Sequence, residues 1–369
     1  MESEGVPRCS LDQARWSRTA QLTLAIGHIF DDRPQNLTRK IVLIYATLIA
    51  ANVMAWTWAI VQFAGQPVLL GMASLAYSFG VRHAVDPDHI AAIDNVTRKL
   101  MQEGKRPIST GFFFALGHST VVIVASVLLA CSIAALDAKF SWFKEIGGLI
   151  GTSVSAAFLI VIALANLAIL FSIYRAFSAI RRGEHVTDDA LNDLLTRRGA
   201  ISRILRSLFA VITKSWHMYP LGLLFGLGFD TATEVSLLGM SATQASSGLP
   251  VWSILVLPAL FTAGMSLVDT TDGVVMVQAY GWAFTKPVCK LYYNLTMTSI
   301  SVVVALLIGG IEALSLVADK WDLHGGVWTL VDQISQHFGV LGYFIIGIFV
   351  IGWLIAVLIF RLGHLDQTA

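Results

Sequence analysis

The segment Arg82-His83-Ala84-Val85-Asp86-Pro87-Asp88-His89-Ile90 sets two histidines and two carboxylates close together, and Asp94 follows shortly after. Imidazole nitrogen and carboxylate oxygen are ligands that divalent transition-metal ions accept. The segment continues an apolar run with no intervening loop. An aspartate at the centre of a membrane helix costs about 2.5 to 3.5 kcal/mol on insertion scales. Acids and imidazoles crowded there need a partner, water or a cation. On a helix His83, Asp86 and His89 recur every third position and drift slowly around one side, while Asp88 lies off that stripe. Pro87 removes a backbone donor and clashes with the carbonyl of His83, so a kink is expected. A break would swing Asp88 and His89 inward and expose backbone groups as extra ligands, which membranes tolerate where the break lines a cavity. The competing reading places this segment at the cytoplasmic end of a span, simply solvated.

Three further clusters fall in other apolar stretches. Gly117-His118-Ser119-Thr120 carries a histidine, which alone reads as a hydrogen-bonded packing residue. Gly228-Phe229-Asp230-Thr231-Ala232-Thr233-Glu234 puts Asp230 and Glu234 four apart on one helical face. Ser266 and the run Asp269-Thr270-Thr271-Asp272 put two acids three apart in another. Clusters on four separate helices are hard to explain as scattered solvated charges. They are expected to converge on a polar pathway or a bound ion. His83, Asp86, Asp88 and His89 are the expected metal ligands. Asp94, His118, Asn166, Asp230, Thr231, Glu234, Ser266, Asp269 and Asp272 are expected to line the pathway or support the ligands. Asn166 serves equally well as a bond to a neighbouring helix, and Glu312 is a further candidate without polar company.

The elements that must position these residues are membrane helices. The 369 residues are 56% hydrophobic and only 13% charged, about half the charge usual in soluble domains. A net charge of +1 argues against a nucleic-acid-binding surface. Cys9, Cys131 and Cys289 form no CxxC pair and read as structural. A bilayer core about 30 Å thick needs roughly 20 apolar residues per helix. Eight stretches qualify, approximately 41–63, 67–92, 109–136, 146–173, 215–240, 250–277, 295–318 and 338–360. The expected fold is thus an all-α integral membrane protein of eight helices. Residues 1–40 form a cytoplasmic segment, 41–173 the first four helices, 174–214 a cytoplasmic loop, 215–360 the last four and 361–369 a cytoplasmic tail. The first span starts too late for a cleavable signal peptide. Alternate loops carry 21 against three Lys and Arg, which puts both termini in the cytoplasm. The 174–214 loop carries both signs of charge and reads as a solvated connector, with a regulatory or metal-delivery role as the alternative. Lys214, Trp216, His217 and Tyr219 look like an interfacial anchor.

A weak duplication runs through the chain. Phe79-Gly80 is echoed by Phe225-Gly226, and Phe114-x-x-Gly117-x-Ser119-x-Val121 by Phe261-x-x-Gly264-x-Ser266-x-Val268, at offsets of 146 and 147. A shift of three spans relates spans 2–4 to spans 5–7 as an inverted repeat, a plan whose substrate sites lie near mid-membrane. Coincidence among common membrane residues is the alternative.

Four segments closely resemble the signatures of the nickel/cobalt transporter family of secondary permeases. They are His83-x4-Asp88-His89, Leu116-Gly117-His118-Ser119-Thr120, Leu227-Gly228-Phe229-Asp230-Thr231-Ala232-Thr233-Glu234, and the stretch from Phe261 through Gly264, Ser266 and Asp269 to Asp272. The resemblance implies uptake of Ni²⁺, Co²⁺ or both across the bacterial cytoplasmic membrane, with His83, Asp88 and His89 central to ion binding and no cofactor. Pro87 stands where most members are expected to carry alanine, which leaves local helix geometry and metal preference open. The residues themselves add that no GxxxxGK[ST] motif is present to bind nucleotide, so no ATPase partner is implied. At −100 mV a divalent ion gains about 4.6 kcal/mol on moving inward. Deprotonation of His83 or His89 on metal binding would couple metal to protons. A membrane metalloenzyme is the alternative, but there is no HExxH and too few histidines for paired boxes. A channel for Zn²⁺ or Mn²⁺ is another, because ligand chemistry alone leaves Ni²⁺, Co²⁺, Zn²⁺ and Mn²⁺ open. Oligomeric state is not legible.

Overall fold

The computed structural model describes residues 30–131, 137–181, 212–228, 231–283 and 287–362, and every regular element among them is helical. Most of the N-terminal segment, residues 182–211 of the long loop, Asp230 and the tail beyond residue 362 lie outside the described residues. The helices are α1 (Leu37–Gln62), α2 (Pro67–His83), α3 (Pro87–Gln102), α4 (Thr110–Cys131) and α5 (Asp137–Arg181). There follow α6 (Met218–Gly226), α7 (Ala232–Ser246), α8 (Val256–Ala283, entered through one turn at Val251–Ile254), α9 (Pro287–Trp321), α10 (Val327–Gln336) and α11 (Phe338–Leu362).

Five of these helical stretches are long and apolar enough to cross a bilayer, and two bent pairs raise the number to as many as seven. Their outer faces carry large apolar side chains such as Met54, Val61, Val303 and Ile351, all more than half exposed. A bilayer covers such surface and water does not. The chain is a multi-pass membrane protein.

The second expected span is broken where Pro87 predicts it: α2 and α3 meet at an angle of 50°. Asp86 is extended (φ −64°, ψ 142°) and Pro87 opens α3, as the restriction on residues preceding proline and the preference of proline for the first helical turn require. The fifth expected span is not continuous either. It divides into α6 and α7, with Thr231 extended as the cap of α7. Thr231-x-x-Glu234 is a capping-box spacing, and the threonine hydroxyl accepts from the Glu234 amide at 3.4 Å.

Glycines bring the helices together backbone to backbone. A methyl on Gly80 (α2) would lie 2.1 Å from the Phe261 carbonyl oxygen (α8), and one on Gly222 (α6) 2.1 Å from that of Phe114 (α4). Likewise Gly264 sits on the Tyr77 carbonyl and Gly117 on that of Tyr219. The α2–α8 and α4–α6 crossings therefore use matching residues in the same order. In this register Gly80 matches Gly222 rather than Gly226, one helical turn from the pairing that the sequence echo suggests. Gly342 of α11 closes on the break itself, where a methyl would be 1.8 Å from the Val85 carbonyl oxygen.

The charge count treats Arg98 and Lys99 as loop residues. Both instead lie on α3 with 2% and 8% exposure. Arg98 donates to Asp94 and Ser301, and Lys99 to the Ile212 carbonyl, so each has found a partner inside the bundle. The imbalance between the two sides survives their removal.

Candidate metal centre

The break between α2 and α3 delivers two histidines to one place. His83 ends α2 and His89 lies in the first turn of α3, with ring centres 4.7 Å apart. His118, on α4, completes a triangle: its ring centre is 4.7 Å from that of His83 and 4.9 Å from that of His89. All three are at most 2% exposed, and one ligand nitrogen from each lies within 4.8 Å of the others.

Carboxylates fix how the rings point. His83 Nδ1 meets Asp86 Oδ2 at 2.8 Å, and His89 Nδ1 meets Asp269 Oδ2 at 3.2 Å. With both carboxylates ionised, each Nδ1 is the donor and each Nε2 keeps its lone pair. His89 Nε2 is buried without a hydrogen-bond partner. His118 Nε2 meets Glu234 Oε1 at 2.8 Å and His83 Nε2 at 2.9 Å. One proton on His118 Nε2 satisfies both contacts, and it lies where three ligand atoms converge. Glu234 is held in turn by the Thr231 hydroxyl, which donates to Oε2 at 3.0 Å. Thr231 and Thr233 also approach His83 Nδ1, at 3.4 and 3.3 Å. Apolar walls exclude water: the Phe114 ring stands against His89 and that of Phe261 against His83.

Of the expected site residues, the structure brings together His83, Asp86, His89, His118, Thr231, Glu234 and Asp269. Asp88 is half-buried beside them, within electrostatic reach of His118. Asp94 stands apart, bonded to Arg98 and Ser301. Asn166 donates to Asn95 at 2.6 Å, which is the helix-bonding alternative. The Ser266 hydroxyl and Asp272 Oδ2 have no hydrogen-bond partner. Sequence reasoning missed Thr233, Asn95 and Ser301, as well as the two phenylalanine walls. The second-span motif alone does not call for His118 at the centre; the signal was there in the four-helix convergence, and only packing turns a lone membrane histidine into a neighbour of two others.

A helical, multi-pass membrane protein with three imidazoles and a carboxylate facing one buried point belongs to the class that handles transition-metal ions within the bilayer. The chain belongs to the NicO family of high-affinity nickel-transport proteins, whose model matches residues 69–359. It is 55% identical over 329 residues to a high-affinity nickel transport protein of Cupriavidus necator, covering 89% of this chain and 94% of the relative. The nickel transporter NixA of Staphylococcus aureus is 46% identical, covering 87% and 94%. The cobalt transport protein NhlF of Rhodococcus rhodochrous is 40% identical, covering 79% and 84%. No solved structure matches. The family is one of transporters, which sets the metalloenzyme alternative aside.

Proposed function

We propose that this chain is a secondary permease for Ni²⁺ or Co²⁺ in the bacterial cytoplasmic membrane, and that it holds the ion between His83, His89 and His118. One observation carries the reading: three buried histidines direct ligand nitrogens at one point, two of them oriented through Nδ1 by carboxylates. Two ligand atoms about 2.1 Å from one ion and at right angles to each other are about 3.0 Å apart. The His83–His118 spacing of 2.9 Å fits that figure. Glu234 Oε1, 2.8 Å from His118 Nε2, is well placed as a fourth ligand.

The roles of the acids then shift. Asp86 and Asp269 orient and strengthen His83 and His89 instead of binding the ion, as carboxylates behind metal-bound histidines commonly do. The ion replaces the proton on His118, so the proton released comes from this residue and not from His83 or His89. Relatives named for nickel and for cobalt transport support both cargoes.

Counting α2–α3, α6–α7 and α10–α11 each as one broken span supports eight crossings, and the basic residues support cytoplasmic termini, loop and tail. The matched crossings α2–α8 and α4–α6, together with the two breaks, support an inverted repeat with the site at its interface. The test is uptake of radioactive nickel and cobalt by cells carrying the wild type, His83→Ala or His118→Ala. Loss of saturable uptake in membrane-inserted variants is expected. Undiminished uptake by both would refute the site.

A further inference from the structure

Beyond the histidines, the seam between α3 and α8 continues as a file of acids. Asp269 holds His89. Asp272 lies one turn further along α8, within electrostatic reach of both Asp269 and Asp94. The two helices are close here: a methyl on Gly273 would lie 3.6 Å from the Ile93 side chain, next to Asp94 in sequence. Asp272 Oδ2 has no hydrogen-bond partner. On α9, Thr298 is fully buried with its hydroxyl unpartnered, one turn before Ser301.

At the end of this file sits a positive charge. Arg98 is 2% exposed, and its Nη2 donates to Asp94 Oδ2 at 2.8 Å and to the Ser301 hydroxyl. Ser301 donates to the same Asp94 oxygen at 2.6 Å. Beyond Arg98 lie Lys99, Lys105 and Arg106, on the side where the basic residues gather. A buried ion pair adds little stability over an apolar pair of the same shape, and charged groups within membrane helices mark ion pathways. A cation fixed across an acidic file that leads away from a cation site bars that file.

Resting on the permease reading above, we propose that Arg98 is a tethered cation that gates release: its guanidinium occupies the oxygen-lined place at Asp94 and Ser301 through which the divalent ion leaves the histidine centre. The ion moves from nitrogen ligands to oxygen ligands only when Arg98 lets go of Asp94. Oxygen ligands hold Ni²⁺ and Co²⁺ less firmly than imidazole, so the guanidinium displaces the ion onward when it returns to Asp94.

Removing the tethered charge turns the gate into a trap. Purified Arg98→Gln protein, dialysed to equilibrium against radioactive nickel, is expected to bind two ions per chain where the wild type binds one. Its uptake in cells should fall at least tenfold. Arg98→Gln with Asp94→Asn should return to one ion per chain. Ser301→Ala keeps every charge but loosens the hold on Arg98, and should change the maximal uptake rate severalfold with the half-saturating concentration unchanged. One ion per chain in Arg98→Gln overturns the proposal; if that variant does not reach the membrane, an unchanged maximal rate in Ser301→Ala does so. The permease reading is tested separately: it fails if the wild type binds no nickel or if His83→Ala binds it as the wild type does.

Discussion

Replacing Gly222 by alanine probes the connection between helix packing and the metal centre. The added methyl would stand 2.1 Å from the Phe114 carbonyl oxygen and 2.9 Å from its carbon, where ordinary contact begins near 3.4 Å. Both neighbours are helix backbone, so no side chain can turn away, and α6 must retreat from α4 by about 1.3 Å at a cost of about 1 to 3 kcal/mol. That displacement acts one turn from His118, which Gly226 of α6 also contacts through its backbone. His118 Nε2 reaches Glu234 at 2.8 Å and His83 at 2.9 Å. Moving the donor by about 1 Å takes both contacts beyond hydrogen-bond range. Nickel uptake at equal membrane expression should fall at least tenfold, and the purified protein should melt at a lower temperature. Gly80→Ala, 2.1 Å from the Phe261 carbonyl oxygen, should behave alike. Gly239→Ala on α7, with nothing within 4 Å, is the control; it should leave uptake unchanged and gain up to about 1 kcal/mol of helix stability. Wild-type uptake by Gly222→Ala would refute the claim that this crossing sets the ligand spacing.

Two other substitutions separate orienting from ligating roles. Asp86→Asn and Asp269→Asn each leave the imidazoles in place but weaken their support, so nickel affinity in equilibrium dialysis should fall about 10- to 100-fold without being lost. Pro87→Ala should keep uptake within about threefold, because Gly342 and the Asp86–His83 contact also hold the break. Its stability should fall by about 0.4 to 1 kcal/mol in thermal melts, since proline fits the first turn of α3 and restricts the unfolded chain.

The parts of this architecture that follow from local chemistry were legible. Apolar length marks the spans, and Pro87 after a residue that must be extended marks the first break. The break between α6 and α7 has its own signal in Thr231-x-x-Glu234, but an unbroken apolar count across 215–240 conceals it. The distinction between ligand and orienting residue was not legible. Asp86 and His89 lie on one helical stripe only if the helix is continuous; once it bends, Asp86 faces back onto His83 while His89 turns towards Asp269 on another helix. Arg98 reads as a loop charge because the sequence does not reveal that Asp94 and Ser301 await it.

The two broken helices also set the electrical balance of the centre. Each break turns a helix start towards the histidines: Asp86 stands at the N-cap position of α3 with Asp88 in its first turn, and Thr231 caps α7 with Glu234 in its first turn. A helix start carries the equivalent of about half a positive charge. The macrodipoles of α3 and α7 thus offset about one of the negative charges gathered there. For an ion held as proposed, the two helix starts soften the field of the surrounding carboxylates.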